Sequence, residues 1–462
     1  MPWLREKLTL VLIVVLPFHA LFVTVGTKLL LGLGHPPMPM LAVWKEALLA
    51  MILLIAALEF LRKPSFNIDR IDGLIVALFA IALALPKTNF LFGFKYDFIP
   101  LIAFLMLRRV SWSDQFKTRA EGALLFVGGI VAAYGILTFF LPTSFFTALG
   151  YSEAHSLYLP NGPLAAFQQI SETGIRRIQS TMSGPNQLGI WLLIPLSVCA
   201  VRIANEKLQV NPSASSGEKY RAATFHYSLF TILCIALALT FSRSAWIAAF
   251  VIGCVIAWKA LPKKIFASGV GVIFILAIIA SLLLPSVFIR RISLTGHMDR
   301  PLQAIRMIME HPLGLGLGAA GPAANRTHGP CVFLEEGSDF SWAQGSPDLC
   351  VFVGKTQVQP AGQQCDCPLV PENWYLQVGV ELGVLGFILY MILTGLVLKK
   401  LMGVGAQHVA PLQGFLIFLG VSIAALFLHA WEDTAVVYTA WVLLAMYLTP
   451  IEQRVFSRIP GR

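Results

Sequence analysis

Arginine occurs in this chain where a membrane protein ordinarily carries few positive charges. The sequence contains about twelve apolar segments, and if these cross a bilayer in alternating directions, a set of arginines faces outward, against the usual cytoplasmic bias. The set comprises Arg176, Arg177, Arg243, Arg290, Arg291, Arg300, Arg306 and Arg326. Guanidinium groups stay charged and bind phosphate oxygens through paired hydrogen bonds, so the cluster predicts a membrane-level site for a lipid-linked phosphate or diphosphate.

The elements that must position these arginines are membrane helices. Hydrophobic residues make up 57% of the chain, charged residues only 13%, and the mean hydropathy is +0.74. Runs of roughly 20 apolar residues recur, which excludes a soluble multidomain protein and predicts an all-α integral membrane protein. The predicted spans cover residues 8–32, 41–61, 71–86, 96–107, 121–141, 186–203, 223–241, 244–260, 265–285, 373–398, 411–430 and 433–449.

The connections between spans predict the orientation. With Arg5 and Lys7 inside, every even-numbered connection is basic, as the positive-inside rule requires, and both termini are cytoplasmic. Those connections and the C-terminus contain Arg62, Lys63, Arg70, Arg108, Arg109, Lys117, Arg119, Arg202, Lys207, Lys219, Arg221, Lys259, Lys263, Lys264, Lys399, Lys400, Arg454, Arg458 and Arg462. The net charge of +10 is then a consequence of topology, and it does not imply nucleic-acid binding. The first span is long and is expected to be retained rather than removed as a signal peptide.

Two outward segments interrupt the spans. The shorter covers about 142–185, and the longer, 286–372, is rich in Gly, Pro, Gln and aromatic residues, with an amphipathic helix expected near 301–310. Long loops of this kind are usually functional or disordered, and this composition favours a folded cap over the bundle. The expected units are a transmembrane bundle (1–285), an extracytoplasmic cap (286–372) and C-terminal helices with a cytoplasmic tail (373–462).

Five motifs, in order, carry a resemblance to a known family. They are FGFKYDF (92–98), RRIQSTMSGPNQLG (176–189), TFSRSAW (240–246), RPLQAIRMIMEHPLGLGLGAAG (300–321) and ENWYLQVGVELGVLG (372–386). Their order, with one large loop before the last three spans, resembles the O-antigen ligase and polymerase family of bacterial membrane glycosyltransferases. The resemblance implies a GT-C-like helical fold in the bacterial cytoplasmic membrane. It also implies transfer of a saccharide from a polyprenyl diphosphate donor to a lipid or saccharide acceptor hydroxyl, with no cofactor and no metal.

The arginines suit such a reaction for a physical reason. Displacing a sugar from a diphosphate builds negative charge on the leaving group, and guanidinium groups that bind it more strongly in the transition state accelerate the step. Arg243 lies in a very short turn between two spans, although an arginine there could instead anchor to lipid headgroups. Arg177, beside Arg176, matches the family arginine ahead of the Pro-Asn pair, with a loop salt bridge to Glu172 as the alternative.

Further outward residues have weaker assignments. Arg300 precedes the expected helix and is a substrate-binding candidate or a solvated loop residue. Arg290 and Arg291 could bind diphosphate or anchor the ninth span at the headgroups. Pro185 and Asn186 begin a span, where Pro can open the helix and Asn can cap it.

Glu372 is the candidate general base. The family carries a histidine at this position, and this chain departs from that pattern. A positioned carboxylate can activate a hydroxyl, but a helix N-terminus favours its ionised form, so a purely electrostatic role is the alternative. Asn373 follows directly as a substrate-binding candidate, and with Gln377 and Glu381 it forms a polar stripe that either faces a wet cavity or bonds neighbouring helices.

The cap also contains a cysteine set and a glycine-rich run. Cys331, Cys350, Cys365 and Cys367 predict one or two disulfides in an oxidising exterior, whereas the other cysteines, at 199, 234 and 254, fall within spans. Metal binding through Cys365, Cys367 and His328 is a weaker alternative. The glycines from Gly314 to Gly321 include a GxGxxG pattern, but no strand–helix unit surrounds it, so tight backbone turns are expected.

Two other functional classes remain open. In a transporter or flippase, the intramembrane charges Lys45, Glu46, Asp97 and Glu381 would line a translocation path. Against this, no inverted repeat is visible and the charge collects at one face. A non-catalytic partner in polysaccharide assembly is the third class.

Overall fold

The structure is a computed structural model, and it is mostly helical. It describes residues 1–62, 64, 68–86, 89–152, 162–170, 173–208, 216–288, 291–324, 331–334, 340–345, 347–354, 356–405 and 409–449. Its α-helices are α1 (Pro2–Val15), α2 (His19–Leu31), α3 (Pro39–Ala42), α4 (Trp44–Arg62), α5 (Arg70–Ala84), α6 (Phe90–Gly93), α7 (Ile99–Leu107), α8 (Asp114–Phe140), α9 (Thr143–Ala148), α10 (Pro185–Leu208), α11 (Ser216–Leu239), α12 (Arg243–Ala260), α13 (Lys263–Leu283), α14 (Pro285–Phe288), α15 (Arg291–Glu310), α16 (Gly321–Ala324), α17 (Trp374–Gly405), α18 (Val409–Ala424) and α19 (Thr434–Tyr447).

Eight helical segments among the described residues are long and apolar enough to cross a membrane. They are Pro2–Leu31, Pro39–Arg62, Phe90–Leu107, Asp114–Phe140, Pro185–Asn205, Arg243–Ala260, Lys263–Leu283 and Trp374–Gly403. The other four predicted spans coincide with shorter apolar helices: α5, the Thr224–Leu239 part of α11, the Leu412–Ala424 part of α18, and α19. The prediction of an all-α architecture rich in membrane-length helices is therefore confirmed, and the count of twelve spans stays a prediction.

Local sequence signals set several helix boundaries. Asp69 caps α5 and forms a capping box with Asp72, in which each side chain accepts from the other residue's backbone N–H. Ser113 caps α8 through the N–H of Phe116, and Asp433 caps α19 through the N–H of Val436. Each cap satisfies a backbone donor that the first helical turn leaves unbonded.

Two helical segments depart from regular α-helical geometry. Residues Phe94–Phe98 form one π-helical turn, a feature that inserts an extra residue and often marks a functional position. α17 is interrupted at Gly383, whose φ of 71° lies in the left-handed region, so the predicted continuous span 373–398 is two helical pieces joined at a break.

The described strands are short and form two small sheets. β1 (Gln168–Gln169) pairs antiparallel with β2 (Arg176–Arg177). β3 (Cys331–Leu334) runs parallel to β4 (Cys350–Val353), which pairs antiparallel with β5 (Thr356–Gln359). Disulfides join Cys331 to Cys367 and Cys350 to Cys365, so the prediction of one or two disulfides among these four cysteines is confirmed. These bridges also occupy the sulfurs of Cys365 and Cys367 that metal binding would need.

The long segment 286–372 contains more helix than the sequence predicted. α15 extends over Arg291–Glu310 instead of 301–310, with Pro301 inside it, and it packs against α17. The glycine-rich run that follows enters the bundle. Gly314, Gly316, Gly318 and Gly321 all have positive φ, which confirms the predicted tight turns.

The glycines of this run are also required by close packing. A Cβ on Gly316 would lie 2.2 Å from the carbonyl oxygen of Pro86, and one on Gly318 would lie 2.7 Å from that of Asn89. The run is bonded in place, because Leu315 and Gly316 donate to the carbonyls of Val380 and Glu381, just before the break in α17.

The contacts separate two ends of the bundle. One end, here called the Arg177 end, brings together β2, the starts of α10, α12 and α17, and the connection from α18 to α19. The other, here called the Arg108 end, brings together the starts of α1, α5 and α8 with the ends of α4 and α7. Large aromatic side chains, including Trp191, Trp431 and Phe418, fill the core between them.

Candidate functional site

Arg177 is held at the Arg177 end by hydrogen bonds from all three guanidinium nitrogens. Nε donates to the carbonyl of Thr240 at 3.0 Å, Nη1 to Gln168 Oε1 at 3.2 Å, and Nη2 to Asn186 Oδ1 at 2.8 Å. The β1–β2 pair places Gln168 directly opposite Arg177, and the residue is only 9% exposed. The position of this guanidinium is therefore fixed by three separate elements. The alternative partner named above, Glu172, lies outside the described residues.

Arg176, its neighbour, points to a different place. Its Nη1 donates to the carbonyls of Thr138 and Phe139 at 3.0 and 3.3 Å and also to that of Leu141, all at the end of α8. The guanidinium also lies over the Phe167 ring, 3.9 Å from its centroid. A cation at a helix C-terminus interacts favourably with the unbonded carbonyls there. The structure thus separates two adjacent arginines that the sequence could not rank.

Arg243 is the first residue of α12, as the short turn predicted. The preceding turn, Thr240 to Ser242, contains the carbonyl that binds Arg177, so the two arginines flank one turn. Arg243 is half-buried, and its Nη1 lies 3.5 Å from the carbonyl oxygen of Phe288 in α14. This contact connects the α11–α12 turn to the chain that leads into α15.

The structure describes only some of the other arginines that were predicted to face outward. Arg291 begins α15, but its side chain lies outside what the structure describes, as do Arg290 and Arg326 entirely. Arg306 is on α15 and is exposed.

Arg300 and Glu372 meet in an ion pair. Arg300 Nη1 donates to Glu372 Oε1, which joins α15 to the start of α17 across the cap boundary. Glu372 has a φ of 52°, a left-handed conformation that is uncommon for a residue with a side chain. Such strained positions persist only where surrounding contacts hold them, and they cluster at functional sites.

Asn373 and Pro185 have structural roles at helix starts. Asn373 Oδ1 accepts from the N–H of Leu376, which is the N-cap bond of α17, and its Nδ2 donates to the carbonyl of Leu426. Pro185 begins α10 as predicted. Asn186, expected as a possible cap, instead accepts from Arg177.

His429 is the residue at this site that sequence reasoning missed. Its Nε2 accepts from the backbone N–H of Glu372 at 3.2 Å, and its Nδ1 lies 2.6 Å from Gln377 Oε1. Gln377 Nε2 in turn donates to Glu432 Oε1 at 2.8 Å. The available signal was the polar run HAWED at 429–433 between two apolar helices, which could have been placed beside the start of α17 if the helix order had been known.

Burial dominates the electrostatics of this connection. It lowers the pKa of His429 to about 4, with the nearby Arg300 acting in the same direction and Glu372 opposing. Burial, with the neighbouring Asp97, raises the pKa of Glu432 well above its usual range. At neutral pH, His429 is therefore uncharged and able to accept a hydrogen bond.

The polar stripe of α17 points into the bundle. Glu381 is buried, and its Oε1 accepts from the backbone N–H groups of Gly318 and Ala320. Asp97, in the π-helical turn, is a close electrostatic neighbour of both Glu381 and Glu432. The stripe therefore bonds neighbouring segments that are not helical: the α18–α19 connection for Asn373 and Gln377, and the glycine-rich run for Glu381.

The site can therefore perform two kinds of chemistry at one end of the bundle. Arg177 and Arg243 can bind an anion on either side of the α11–α12 turn, and Glu372 can accept a hydrogen bond or proton beside His429. The chain matches no protein-family model, and it has no significant match among curated proteins.

Proposed function

We propose that this protein is a membrane glycosyltransferase of the O-antigen ligase or polysaccharide polymerase type. Its donor is a glycan on a polyprenyl diphosphate, and its acceptor is a lipid or saccharide hydroxyl. The bond between the anomeric carbon and the diphosphate oxygen breaks, and a bond from the acceptor oxygen to that carbon forms. The hydroxyl proton leaves to a base, and the polyprenyl diphosphate departs as an anion.

The observation that carries this proposal is the shared turn between Arg177 and Arg243. Arg177 is locked by Thr240, Gln168 and Asn186, so its guanidinium needs little reorganisation when charge develops nearby. Arg243 follows Thr240 by three residues and begins a helix, which keeps it close to the same place. Two arginines in this arrangement suit the diphosphate leaving group.

Glu372 is the proposed group that orients or deprotonates the acceptor hydroxyl. Its Oε1 is bound by Arg300, which fixes the carboxylate, and Glu372 is partly exposed at the cap boundary. Arg300 contributes by positioning Glu372, and Arg176 by anchoring β2 to the end of α8. Arg291 and Asn373 remain proposed substrate contacts.

The proposal includes a topology. Twelve spans of a GT-C-like fold would cross a bacterial cytoplasmic membrane, with both termini cytoplasmic and the Arg177 end outside. Asp299, exposed on α15, and Asp114, exposed at the start of α8, lie at opposite ends. In intact spheroplasts, Asp299→Cys should react with an impermeant maleimide, and Asp114→Cys should react only after lysis. The reverse pattern would contradict the proposed orientation.

The enzymatic proposal is tested with purified protein, a polyprenyl diphosphate glycan and candidate acceptors. Wild-type protein should form a glycosylated acceptor and release polyprenyl diphosphate. Arg177→Ala and Arg243→Ala should each lower the rate by about 10² to 10³-fold, as loss of an electrostatic transition-state contact does. Arg306→Ala, an exposed arginine on α15, is the matched control and should retain the wild-type rate. Equal rates for all three variants would remove the arginines from the mechanism.

The alternative is a transporter or flippase, and one observation favours it. Asp97, Glu381 and Glu432 lie close together and are buried, and Lys45, Glu46 and Lys95 form a second charged group joined by bonds of 2.8 to 3.2 Å. Buried ionisable groups often mark ion or proton paths. Transport of a lipid-linked glycan across proteoliposomes that is lost in Asp97→Asn, without any glycan transfer, would support this alternative.

A further inference from the structure

The backbone of Glu372 is held by the imidazole of His429. The bond from the Glu372 N–H to Nε2 spans 57 residues of sequence and connects the start of α17 to the α18–α19 connection. Glu372 has a φ of 52°, and this backbone conformation determines where its carboxylate points. Contacts that hold this conformation therefore control the direction of the proposed base.

The hydrogen bonds assign one tautomer to His429. Nε2 accepts from a backbone N–H, so it carries no proton. Gln377 Nε2 donates to Glu432 Oε1, so the other amide atom, Oε1, faces His429 and can only accept. Nδ1 must then carry the proton. The connection runs in one direction, from the Glu372 N–H through His429 and Gln377 to Glu432.

Gln377 and Glu432, the last two residues of this hydrogen-bond chain, are held by neighbouring segments. The amide of Ala323 in α16, next to the glycine-rich run, is an electrostatic neighbour of the Glu432 carboxylate. Gln377 is fully buried in α17, and a Cβ on Gly321 would collide with its amide. The imidazole is thus fixed at Nδ1 by a rigid partner, which leaves Nε2 aimed at the Glu372 peptide.

We propose that His429, oriented by Gln377 and Glu432, is a positioning residue that holds the Glu372 carboxylate toward the acceptor hydroxyl. This inference rests on the proposed function for its catalytic part, and its structural part stands apart from it. His429, in the α18–α19 connection, thereby controls the position of Glu372 through a hydrogen bond to the backbone of Glu372.

The decisive variants are His429→Gln and His429→Leu. Glutamine retains an oxygen that can accept from the Glu372 N–H, whereas leucine has a similar bulk and no acceptor. We expect His429→Leu to lower kcat about 100-fold with donor KM changed less than about twofold, since a small misplacement of a reacting group has this cost. His429→Gln should recover most of the rate. His311→Leu, at an exposed histidine after α15, is the control.

Two further measurements do not depend on enzymatic activity. In hydrogen–deuterium exchange, the Glu372 amide should be protected in wild type and His429→Gln and unprotected in His429→Leu. Nitrogen-15 spectra of labelled wild-type protein should show His429 protonated at Nδ1 at pH 7, which needs no variant to fold. A proton on Nε2, or an unchanged Glu372 amide in folded His429→Leu, would overturn the inference.

The outcomes also separate this inference from the proposed function. If wild-type protein transfers no glycan but the exchange and nitrogen-15 results are as expected, the glycosyltransferase proposal fails and the contact to Glu372 stands. If transfer occurs and His429→Leu has the wild-type kcat, the positioning role fails and the enzymatic proposal stands.

Discussion

Arg5 and Arg108 at one end of the bundle have different hydrogen-bond partners from Arg176 and Arg177 at the other. At the Arg108 end, described guanidinium groups bind carboxylates: Arg5 binds Glu59 at 3.0 Å, and Arg108 binds both Asp69 and Asp72. At the Arg177 end, Arg300 binds the Glu372 carboxylate, whereas Arg176 donates to backbone carbonyls and lies over aromatic rings, and Arg177 donates to a carbonyl and two amide oxygens.

The difference indicates two uses of the same side chain. At the Arg108 end, Arg109 binds Asp72 and Lys400 binds Asp69, so the ion pairs of Arg108 form part of a larger network. This network joins helix ends and contributes to folding. The hydrogen bonds from Arg177 to Thr240, Gln168 and Asn186 fix its guanidinium beside the start of α12. We therefore expect substitutions at the Arg108 end to change stability and substitutions at the Arg177 end to change chemistry.

The largest expected effect is on stability at the Arg108 end. Arg108→Ala removes the most buried cation of this network, only 2% exposed, and leaves Asp69 and Asp72 paired with Lys400 and Arg109 alone. Removing one partner of a buried ion pair costs about 3 to 5 kcal/mol. Thermal unfolding of purified Arg108→Ala protein in detergent should show a clearly lower melting temperature than wild type. A wild-type melting temperature would contradict the stabilising role assigned to the Arg108 end.

The disulfides should give the next largest effect, confined to the cap. Replacing both Cys331 and Cys367 with serine opens a loop of 36 residues, and replacing Cys350 and Cys365 opens one of 15. Each pair should cost about 2 to 4 kcal/mol of cap stability, with the longer loop costing more. Limited proteolysis should then cut within 331–367, while the helices at the Arg108 end remain resistant. Equal resistance in reduced and oxidised protein would argue against stapling.

Arg177→Lys should separate charge from geometry. Lysine keeps the positive charge but cannot bond Thr240, Gln168 and Asn186 simultaneously from three fixed directions. We expect a roughly 100-fold loss of glycan transfer, with folded protein still recovered from the membrane. Wild-type transfer by the lysine variant would show that charge alone suffices at this position.

The pH dependence should be smaller and should come from His429. Because its folded pKa lies below the unfolded value of about 6.5, the unfolded state binds more protons between pH 6.5 and about 4. The contribution of neutral His429 to the free energy of unfolding is therefore complete above pH 6.5, and it decreases as the pH falls. Between pH 6.5 and 5.5 the decrease is about 1 kcal/mol.

The measurement compares wild-type protein with His429→Gln over that pH interval. Glu432 and Asp433, whose pKa values burial raises, change stability in the opposite direction, but they are present in both proteins. Arg300 and Glu372 also face His429 in both. The difference between the two profiles of stability against pH gives the contribution of His429 protonation. Parallel profiles would show that burial does not lower the pKa of His429.

The smallest expected effect is at an exposed pair of the Arg108 end. Lys117 and Asp114 are 3.1 Å apart at i,i+3 in α8, and Asp114 is 82% exposed. Solvent screens such pairs, so Lys117→Ala should change stability by less than about 1 kcal/mol. A loss comparable to that of Arg108→Ala would show that burial does not separate the two classes of ion pair.

Local patterns in the sequence were sufficient for the helices and for several special positions. Apolar runs predicted helices where the structure has them, because burying apolar side chains and bonding the backbone internally are both local requirements in a membrane. Glycine spacing predicted the turns from Gly314 to Gly321, and the cap cysteines predicted an oxidised loop. The break at Gly383 was not predicted, since it exists to pair α17 with the glycine-rich run from another segment.

The arrangement of the site depended on contacts between distant residues. Arg176 and Arg177 are adjacent and chemically identical, and only the positions of α8, Thr240 and Asn186 assign them to different partners. The disulfide pairing and the contact between Glu372 and His429 were likewise invisible in composition and spacing. Composition and periodicity report which groups a chain carries and which local structure they favour. Which of those groups meet is decided by helix packing, because hydrogen bonds and ion pairs depend on distances that the fold alone sets.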